Sequence, residues 1–346
     1  MAGFLLEKLM KAVGYFNNLP IDDARSLVDI DIEQPTPGPR DLLVKIQAIS
    51  VNPVDVKLRA GAMPPNGEAR ILGYDAVGIV ESVGTDVALF RPGDEVFYAG
   101  AINRQGTYAQ YHVVDERVAA LKPTTLGAEQ AAALPLTSLT AWELLFNRLA
   151  VPYGRMISND AILIVNGAGG VGSILTQMAR RLTGLTVIAT ASRPETIAWV
   201  KQMGAHHVID HHKPLNEGLK AIGIPHVRYV AGLTATEKHQ KAIIEALQPH
   251  GALAMIDDPD TFDIVPFKRK SLSVHWELMF TPTLYATPDM VGQHRILSEV
   301  AALVDSGVLR TTLQENYGTI NAQNLKRAHA ALESGRGIGK IVLSGF

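Results

Sequence analysis

The chain reads as an α/β protein in two parts, a mostly β region and a doubly wound parallel sheet. Three observations predict this. From Lys11 to about Leu126, short apolar runs are separated by Gly and Pro turns, with no helical pattern of ordinary length. From Ala161 onward, apolar runs alternate with helical stretches, which is the pattern of parallel strands joined by crossover helices. At the first of these junctions stands Asn166-Gly167-Ala168-Gly169-Gly170-Val171-Gly172. A length of 346 residues also favours two domains over one.

In chain order, Met10-Lys11-Ala12-Val13 begins a first strand and leaves residues 1–9 as an extension or an alternative start. Pro35, Pro37, Gly38 and Pro39 break the chain before the strand Leu42–Ile46. Val77–Val80, Glu95–Tyr98 after the turn Arg91-Pro92-Gly93-Asp94, and Tyr108–Val114 complete a β region that suits a partly closed barrel. Ala128–Leu149 holds two helical stretches, with Pro135 starting or kinking the second. Ala161–Val165, Thr186–Thr190, His207–Asp210 and Ala252–Ile256 are strands of the second part. Ser192 is positioned to cap a helix over Pro194–Met203 that Gly204 ends, and Lys238–Leu247 is a further helix. Ser271–Met279 reads as a late strand, Met290–Ser306 and Asn321–Glu333 as helices, and Lys340–Leu343 as a last strand.

Composition narrows the function classes. A formal net charge of −2 gives no general attraction to nucleic acid or acidic membranes. The short basic run Lys268-Arg269-Lys270 reads as a solvated turn in that setting. With no cysteine there are no disulfides, no thiolate chemistry and no Cys-based zinc site, which fits a reducing, cytoplasmic setting. No apolar run reaches the roughly 18 residues of a membrane span, and the first ten residues do not read as a signal peptide.

Between a strand and a helix, the spacing Gly167-x-Gly169-x-x-Gly172 is a dinucleotide-binding fingerprint. Gly167 is expected to permit the tight turn, Gly169 to let the backbone approach a pyrophosphate, and Gly172 to let helix and strand pack closely. Gly170 and Val171 add backbone N–H groups at the positive end of the helix.

Taken together, these motifs and others in the right order resemble the medium-chain dehydrogenase/reductase superfamily. The others are Val51-Asn52-Pro53-Val54-Asp55, Gly73-Tyr74-Asp75-Ala76-Val77-Gly78, Pro92-Gly93-Asp94, Gly106-Thr107-Tyr108-Ala109 and Leu134–Trp142. The nearest branch is the quinone-oxidoreductase-like proteins, often labelled zinc-type alcohol dehydrogenase-like. The resemblance implies a GroES-like catalytic domain from residues 10–150 and 291–346, around a Rossmann nucleotide-binding domain at 151–290, with the nicotinamide in a cleft between them. Where zinc members of the family carry their catalytic ligands, this chain has Asn52, Tyr74 and Leu136, a poor set beside thiolate and imidazole. The four-cysteine structural zinc lobe is also missing. The resemblance therefore implies reductase chemistry without a metal, and a homodimer or homotetramer paired through the strand near Ser271–Met279.

Without zinc, hydrogen-bond donors must stabilise the negative charge that builds on a carbonyl or quinone oxygen during hydride transfer. Asn52 and Tyr74 are the candidates, with Thr140 matching the family position near the nicotinamide; each also has a purely structural reading. Asp55 and Asp75 could each orient a neighbour, but each reads better as a turn cap or a member of an internal salt bridge. About 20 residues beyond the last glycine, where NAD enzymes place an acid for the ribose 2′-OH, the chain has Ala191-Ser192-Arg193. Ser192 and Arg193 suit a 2′-phosphate, so the expected coenzyme is NADPH. His211, after a strand's carboxyl end, is placed beside that coenzyme. His206, His207, His211 and His212 are not expected to hold a metal, since His206 and His207 are adjacent on a strand. Tyr98, Trp276 and Phe280 are candidates for a pocket that stacks on a flat ring, or for core packing. The leading expectation is an NADPH-dependent, zinc-independent reductase of quinones or related conjugated carbonyl compounds. The alternatives are an enone C=C reductase and a non-catalytic NADPH-binding structural or RNA-binding protein.

Overall fold

The computed structural model describes residues 9–64 and 67–346, so all but the last residue of the expected N-terminal extension lies outside the described residues. The chain forms two compact units, one built from residues up to Leu136 together with Phe280–Phe346, the other from Thr137–Met279. No helix among the described residues is long and apolar enough to cross a membrane.

The first unit begins with strands β1 (Leu9–Tyr15), β2 (Val28–Glu33) and β3 (Asp41–Val51), followed by helix α1 (Pro53–Gly61). Then come β4 (Arg70–Ile71), β5 (Ala76–Val83), β6 (Glu95–Tyr98), β7 (Tyr111–Asp115), β8 (Ala119–Leu121) and α2 (Ala128–Ala132). Helix α3 (Pro135–Trp142) opens at Pro135, and the chain passes from one unit to the other at its start. Strand β3 organises this unit. Along one edge it pairs β5, and its other edge is shared, with β7 opposite Asp41–Lys45 and the C-terminal strand opposite Ala48–Val51. Gly78 lies where this pairing is tightest: a Cβ there would come within 2.3 Å of the Lys45 carbonyl oxygen.

Helix α1 departs from the all-strand expectation for this region. Its start follows the usual chemistry of helix N-termini: Asn52 precedes it, Pro53 opens it, and the Asp55 carboxylate accepts from the Asn52 N–H at 2.6 Å. Strand β2 was hidden for a different reason. It has no continuous apolar run, and its signal is the strict alternation Val28-Asp29-Ile30-Asp31-Ile32-Glu33, which matches the alternating burial of the strand.

The second unit contains β9 (Ala161–Val165), α4 (Gly170–Leu182), β10 (Thr186–Thr190), α5 (Pro194–Met203), β11 (His207–Ile209) and α6 (Leu215–Ala221). It continues through β12 (Val227–Gly232), α7 (Thr236–Ala246), β13 (Leu247–Met255) and β14 (Ser273–Trp276). These six strands form one parallel sheet in the order β11-β10-β9-β12-β13-β14. The order reverses at β9, so the crevice outside its carboxyl end is the switch point at which such sheets bind ligands. Every residue of β9 is buried, because helices cover both faces of a parallel sheet.

The chain then returns to the first unit through α8 (Thr281–Leu284), α9 (Val291–Asp305), β15 (Leu313–Asn316), α10 (Ala322–Glu333) and β16 (Lys340–Ser344). Strand β16 lies between β15 and β3, which carries Lys340 into the interior. The architecture is mixed α/β, with a GroES-like part and a Rossmann-type parallel sheet, as the sequence predicts.

Candidate active site

The glycine string forms the turn from β9 into α4. The left-handed residue of this turn is Asn166, at φ 65°, a conformation asparagine tolerates better than most side chains. Gly167, expected to permit the tight turn, does so without a positive φ. It is required for space, since a Cβ would stand 2.7 Å from the Ala189 Cβ on β10. Gly172 does what its spacing implies, for a Cβ would meet the Asn166 carbonyl oxygen at 2.3 Å. Gly169, immediately before α4, is open: the nearest atom to a built Cβ is the movable Asn166 amide at 3.1 Å. The first N–H groups of α4, from Gly170, Val171 and Gly172, have no intrahelical acceptor and aim out of this mouth.

Two hydrogen bonds join the turn to the end of β10, and a third joins that end to His211. Asn166 N donates to Thr190 Oγ1 at 2.8 Å, and Gly167 N to the Thr190 carbonyl at 3.1 Å. His211 Nδ1 lies 3.2 Å from the same Thr190 hydroxyl. The structure thus gathers the glycine turn, the end of β10 and His211 at one edge of the sheet. Burial lowers the pKa of His211, and its neighbour His212 adds to the effect. Ser192 and Arg193 directly follow β10. The residue at the N-cap of α5 is Arg193 rather than Ser192, and the side chain bonding there is that of Thr196, which accepts from Arg193 N at 3.1 Å. Arg193 Nε also lies 3.3 Å from Glu195, with the arginine side chain 39% exposed.

In the first unit, Asn52, Asp55, Tyr74 and Asp75 are all buried. Asp75 accepts from Asn52 Nδ2 at 2.7 Å, Leu136 N at 2.7 Å and Lys340 Nζ at 3.2 Å. The Lys340 ammonium also donates to the Val51 carbonyl at 3.0 Å and to Asn52 Oδ1. Asp55 is a helix cap and Asp75 an internal ion pair, the two structural roles their sequence context favours. Burial raises both carboxyls, Asp55 to about 7, against the pull of Lys340. Burial also lowers Lys340, which Asp75 opposes. Both ends of the Asn52 amide are engaged, and its weakest bond is the 3.4 Å contact from Nδ2 to the Ser50 carbonyl. Tyr74 differs: its hydroxyl is buried with no hydrogen-bond partner among the described residues, and its ring meets Phe280 edge-on at 5.5 Å. Burial, reinforced by Asp55 and opposed by the nearby Arg70 guanidinium, pushes its pKa above the usual tyrosine value. Thr140 is buried on α3 in the second unit.

A catalytic zinc does not fit this cluster. The ligand positions are Asn52, Tyr74 and Leu136, and the asparagine oxygen is already held by an ammonium. Among the described residues, no group of three or more His, Cys, Asp or Glu side chains could hold a metal ion. Of Tyr98, Trp276 and Phe280, offered as pocket or core residues, Tyr98 and Phe280 are buried and Trp276 is not. Tyr98 is core, stacked on His112 with its hydroxyl 3.0 Å from Nδ1, and Trp276 is 53% exposed on β14 beside Phe262. A groove of about 610 Å³ lined by Lys45, Gln47, Gln110, Tyr111 and Phe346 includes none of the predicted site residues. Sequence reasoning missed Lys340 as a partner of Asn52; the one signal was a lone lysine heading the apolar run Ile341-Val342-Leu343.

A Rossmann-type sheet with a glycine-lined helix mouth, joined to a GroES-like unit, defines a nucleotide-dependent dehydrogenase or reductase. Comparison with known proteins agrees. Residues 38–124 match the alcohol dehydrogenase GroES-like domain and residues 203–343 a domain described as zinc-binding dehydrogenase. A zinc-type alcohol dehydrogenase-like protein of Staphylococcus aureus is 39% identical over 337 residues, 97% of this chain and 100% of that protein. A crystal structure from Rhizobium etli, of a protein provisionally assigned as a zinc-dependent alcohol dehydrogenase, is 55% identical with a TM-score of 0.94, covering 98% of this chain and 99% of that one. Escherichia coli quinone oxidoreductase, solved in complex with NADPH, is 25% identical with a TM-score of 0.81, covering 96% of this chain and 99% of that one. The chain belongs to the quinone-oxidoreductase-like, zinc-type alcohol dehydrogenase-like branch of the medium-chain dehydrogenase/reductase superfamily, a family of oxidoreductases.

Proposed function

We propose that the protein is an NADPH-dependent, zinc-independent reductase of quinones or related conjugated carbonyl compounds. The observation that carries this is the α4 mouth, open at Gly169, with Ser192 and Arg193 following the neighbouring strand where an NAD enzyme would place an acid. When bound, the coenzyme supplies a hydride. The remaining roles belong to the chain. The N–H groups of Gly170, Val171 and Gly172 hold the pyrophosphate, with Gly167 and Gly169 keeping the turn clear. Ser192 and Arg193 read the 2′-phosphate, and His211 borders the adenosine ribose. Thr140 lies against the nicotinamide. Tyr74 donates a hydrogen bond to the reducible oxygen, with Asn52, fixed by Asp75 and Lys340, shaping the same region.

The test is NADPH oxidation by purified protein with a panel of quinones and enones, comparing wild type with Tyr74→Phe and comparing NADPH with NADH. Turnover of quinones with NADPH and a loss in Tyr74→Phe are expected. NADPH binding without turnover of any acceptor would move the protein to a non-catalytic class. The buried, unpartnered Tyr74 hydroxyl favours one second reading, reduction of an enone C=C bond with Tyr74 as the proton donor to carbon. Product analysis separates the two. We further propose a homo-oligomer paired through the β14 edge of the parallel sheet, to be checked by light scattering.

A further inference from the structure

Ionised carboxylates only accept hydrogen bonds, so two carboxyl groups can bond each other only if one keeps its proton. Glu143 and Glu277 meet that condition. Glu277 directly follows β14 and is 3% exposed; Glu143 is 5% exposed, and their carboxyl groups are hydrogen-bonded. Arg148 Nε donates to Glu277 Oε2 at 2.8 Å, while Oε1 is buried with no partner among the described residues. The guanidinium identifies Glu277 as the ionised member and Glu143 as the donor. Burial raises the Glu277 carboxyl, and Glu143 and Arg148, the charged groups acting on it, pull it back only in part.

Local backbone geometry builds this arrangement. After Trp142 the helix continues as a π-helical turn over Glu143–Arg148, marked by Leu149 N donating to the Leu144 carbonyl at 3.0 Å. At 3.6 residues per turn, an α-helix would aim positions five apart about 140° away from each other. The wider i→i+5 winding brings Glu143 and Arg148 onto one side, facing Glu277. Glu277 N in turn donates to the carbonyl of Met255, the last residue of β13, at 2.9 Å. The cluster therefore lies at the carboxyl ends of β13 and β14. The phosphate-reading residues follow β10, on the other side of the β9 switch point. A dinucleotide laid across these strand ends with its adenosine over β10 carries its nicotinamide half toward β12–β14. Thr140 stands three residues before Glu143 on the same continuous helical rod.

We propose that Glu143 and Glu277 hold one shared proton and, with Arg148, act as positioning residues that fix the Thr140 helix and the end of β14 beneath the nicotinamide half of the coenzyme. Loss of that proton leaves two carboxylates against one guanidinium in a buried site, which opens the clamp and slows hydride transfer. This rests on the coenzyme reading above. Glu143→Gln keeps a neutral hydrogen-bond donor where the protonated glutamate stood; Glu143→Ala removes it.

Two measurements test the proposal. In coenzyme-free protein, infrared spectra at neutral and alkaline pH should show buried protonated-carboxyl absorption that titrates away in wild type and is weaker by one group in Glu143→Gln, the part due to Asp55, itself raised to about 7, being common to both. In single-turnover NADPH oxidation with a naphthoquinone, the wild-type rate should fall on an alkaline limb approaching tenfold per pH unit. Glu143→Gln should keep the neutral-pH rate within about threefold and lose that limb, while Glu143→Ala should be slow at every pH. Equal protonated-carboxyl absorption in wild type and Glu143→Gln, a flat wild-type profile, or an alkaline limb unchanged in Glu143→Gln overturns the clamp while leaving the reductase reading intact. A protein that binds no coenzyme overturns both the clamp's positioning role and the functional reading, whatever the infrared result.

Discussion

Arg193 offers a sharp quantitative test of coenzyme choice. A charge-assisted hydrogen bond to a phosphate contributes about 1.5–3 kcal/mol when well formed. Here the guanidinium is 39% exposed and already lies 3.3 Å from Glu195, so the phosphate must compete with both water and a carboxylate. That places the net value near the lower bound, about 1.4 kcal/mol, or roughly a tenfold weaker Kd for NADPH in Arg193→Ala. NADH has no 2′-phosphate, and its Kd should move less than about twofold. Glu195→Gln is the converse perturbation. Removing an exposed ion-pair partner releases up to about 1 kcal/mol of competition, so NADPH should tighten by as much as about fivefold, more at low salt than at high. Quenching of tryptophan fluorescence reports all of these constants, and Trp199 lies on the same α5 helix that Arg193 begins. If Arg193→Ala weakens NADH and NADPH equally, Arg193 does not read the 2′-phosphate. If wild type binds both coenzymes equally, the assignment of NADPH fails with it.

The remaining predictions follow from the packing. Gly169→Ala should fold with a melting temperature close to wild type but lose at least about tenfold in coenzyme affinity, since only a movable amide opposes the new Cβ while the phosphate needs that space. Gly172→Ala should lose stability as well, because backbone atoms of Asn166 and Gly167 block it; equal melting temperatures for the two variants would refute this. Lys340→Met strands the buried Asp75 carboxylate and should cost about 3–5 kcal/mol in urea unfolding, partly restored by adding Asp75→Asn. A double variant no more stable than Lys340→Met alone would show that the pair is not the cause. Burial holds the pKa of His112 down to about 4 and of His329 to about 3, so each is neutral in the folded protein. Their contribution to stability is present above about 6.5 and is lost as pH falls towards those values; for His112 it amounts to roughly 3 kcal/mol. Asp55, raised to about 7, has the opposite sign, stabilising below its unfolded value and losing that contribution as pH rises through 7. Asp75 and Glu277, also raised by burial, act in the same direction as Asp55, so the histidine contribution is read by difference: between neutral pH and pH about 4 the urea midpoint of His112→Gln should lose less, or gain more, than that of wild type. Parallel pH profiles for the two proteins would refute the assignment to His112.

How much of this was legible beforehand depended on whether the signal was local. The second unit announced itself, since a fully buried β9, a glycine turn and an amphipathic α4 are each written within a dozen residues. The close packing at Gly172 followed from spacing alone. What escaped was either local chemistry overlooked or pairing at long range. The start of α1 was spelled out by Asn52, Pro53 and Asp55, yet the surrounding β pattern concealed it. That Asn166, not Gly167, takes the left-handed conformation reflects how near Gly167 comes to Ala189, a contact between strands that spacing does not encode. Lys340 and Asn52 are 288 residues apart, and only the insertion of β16 between β15 and β3 brings them together. That pairing alters the reading of the site. Viewed singly, Asn52 and Tyr74 are two interchangeable donors standing where zinc ligands would be. Viewed with Lys340 and Asp75, the asparagine amide is spoken for at both ends and the positive charge of the region is built in, while the buried Tyr74 hydroxyl, like that of Ser50, has nothing described to receive it. Leaving such a group unsatisfied costs about 1–3 kcal/mol, a strain that a substrate oxygen arriving within reach would relieve. The asymmetry between the two residues is therefore itself an argument that Tyr74, more than Asn52, meets the reducible group.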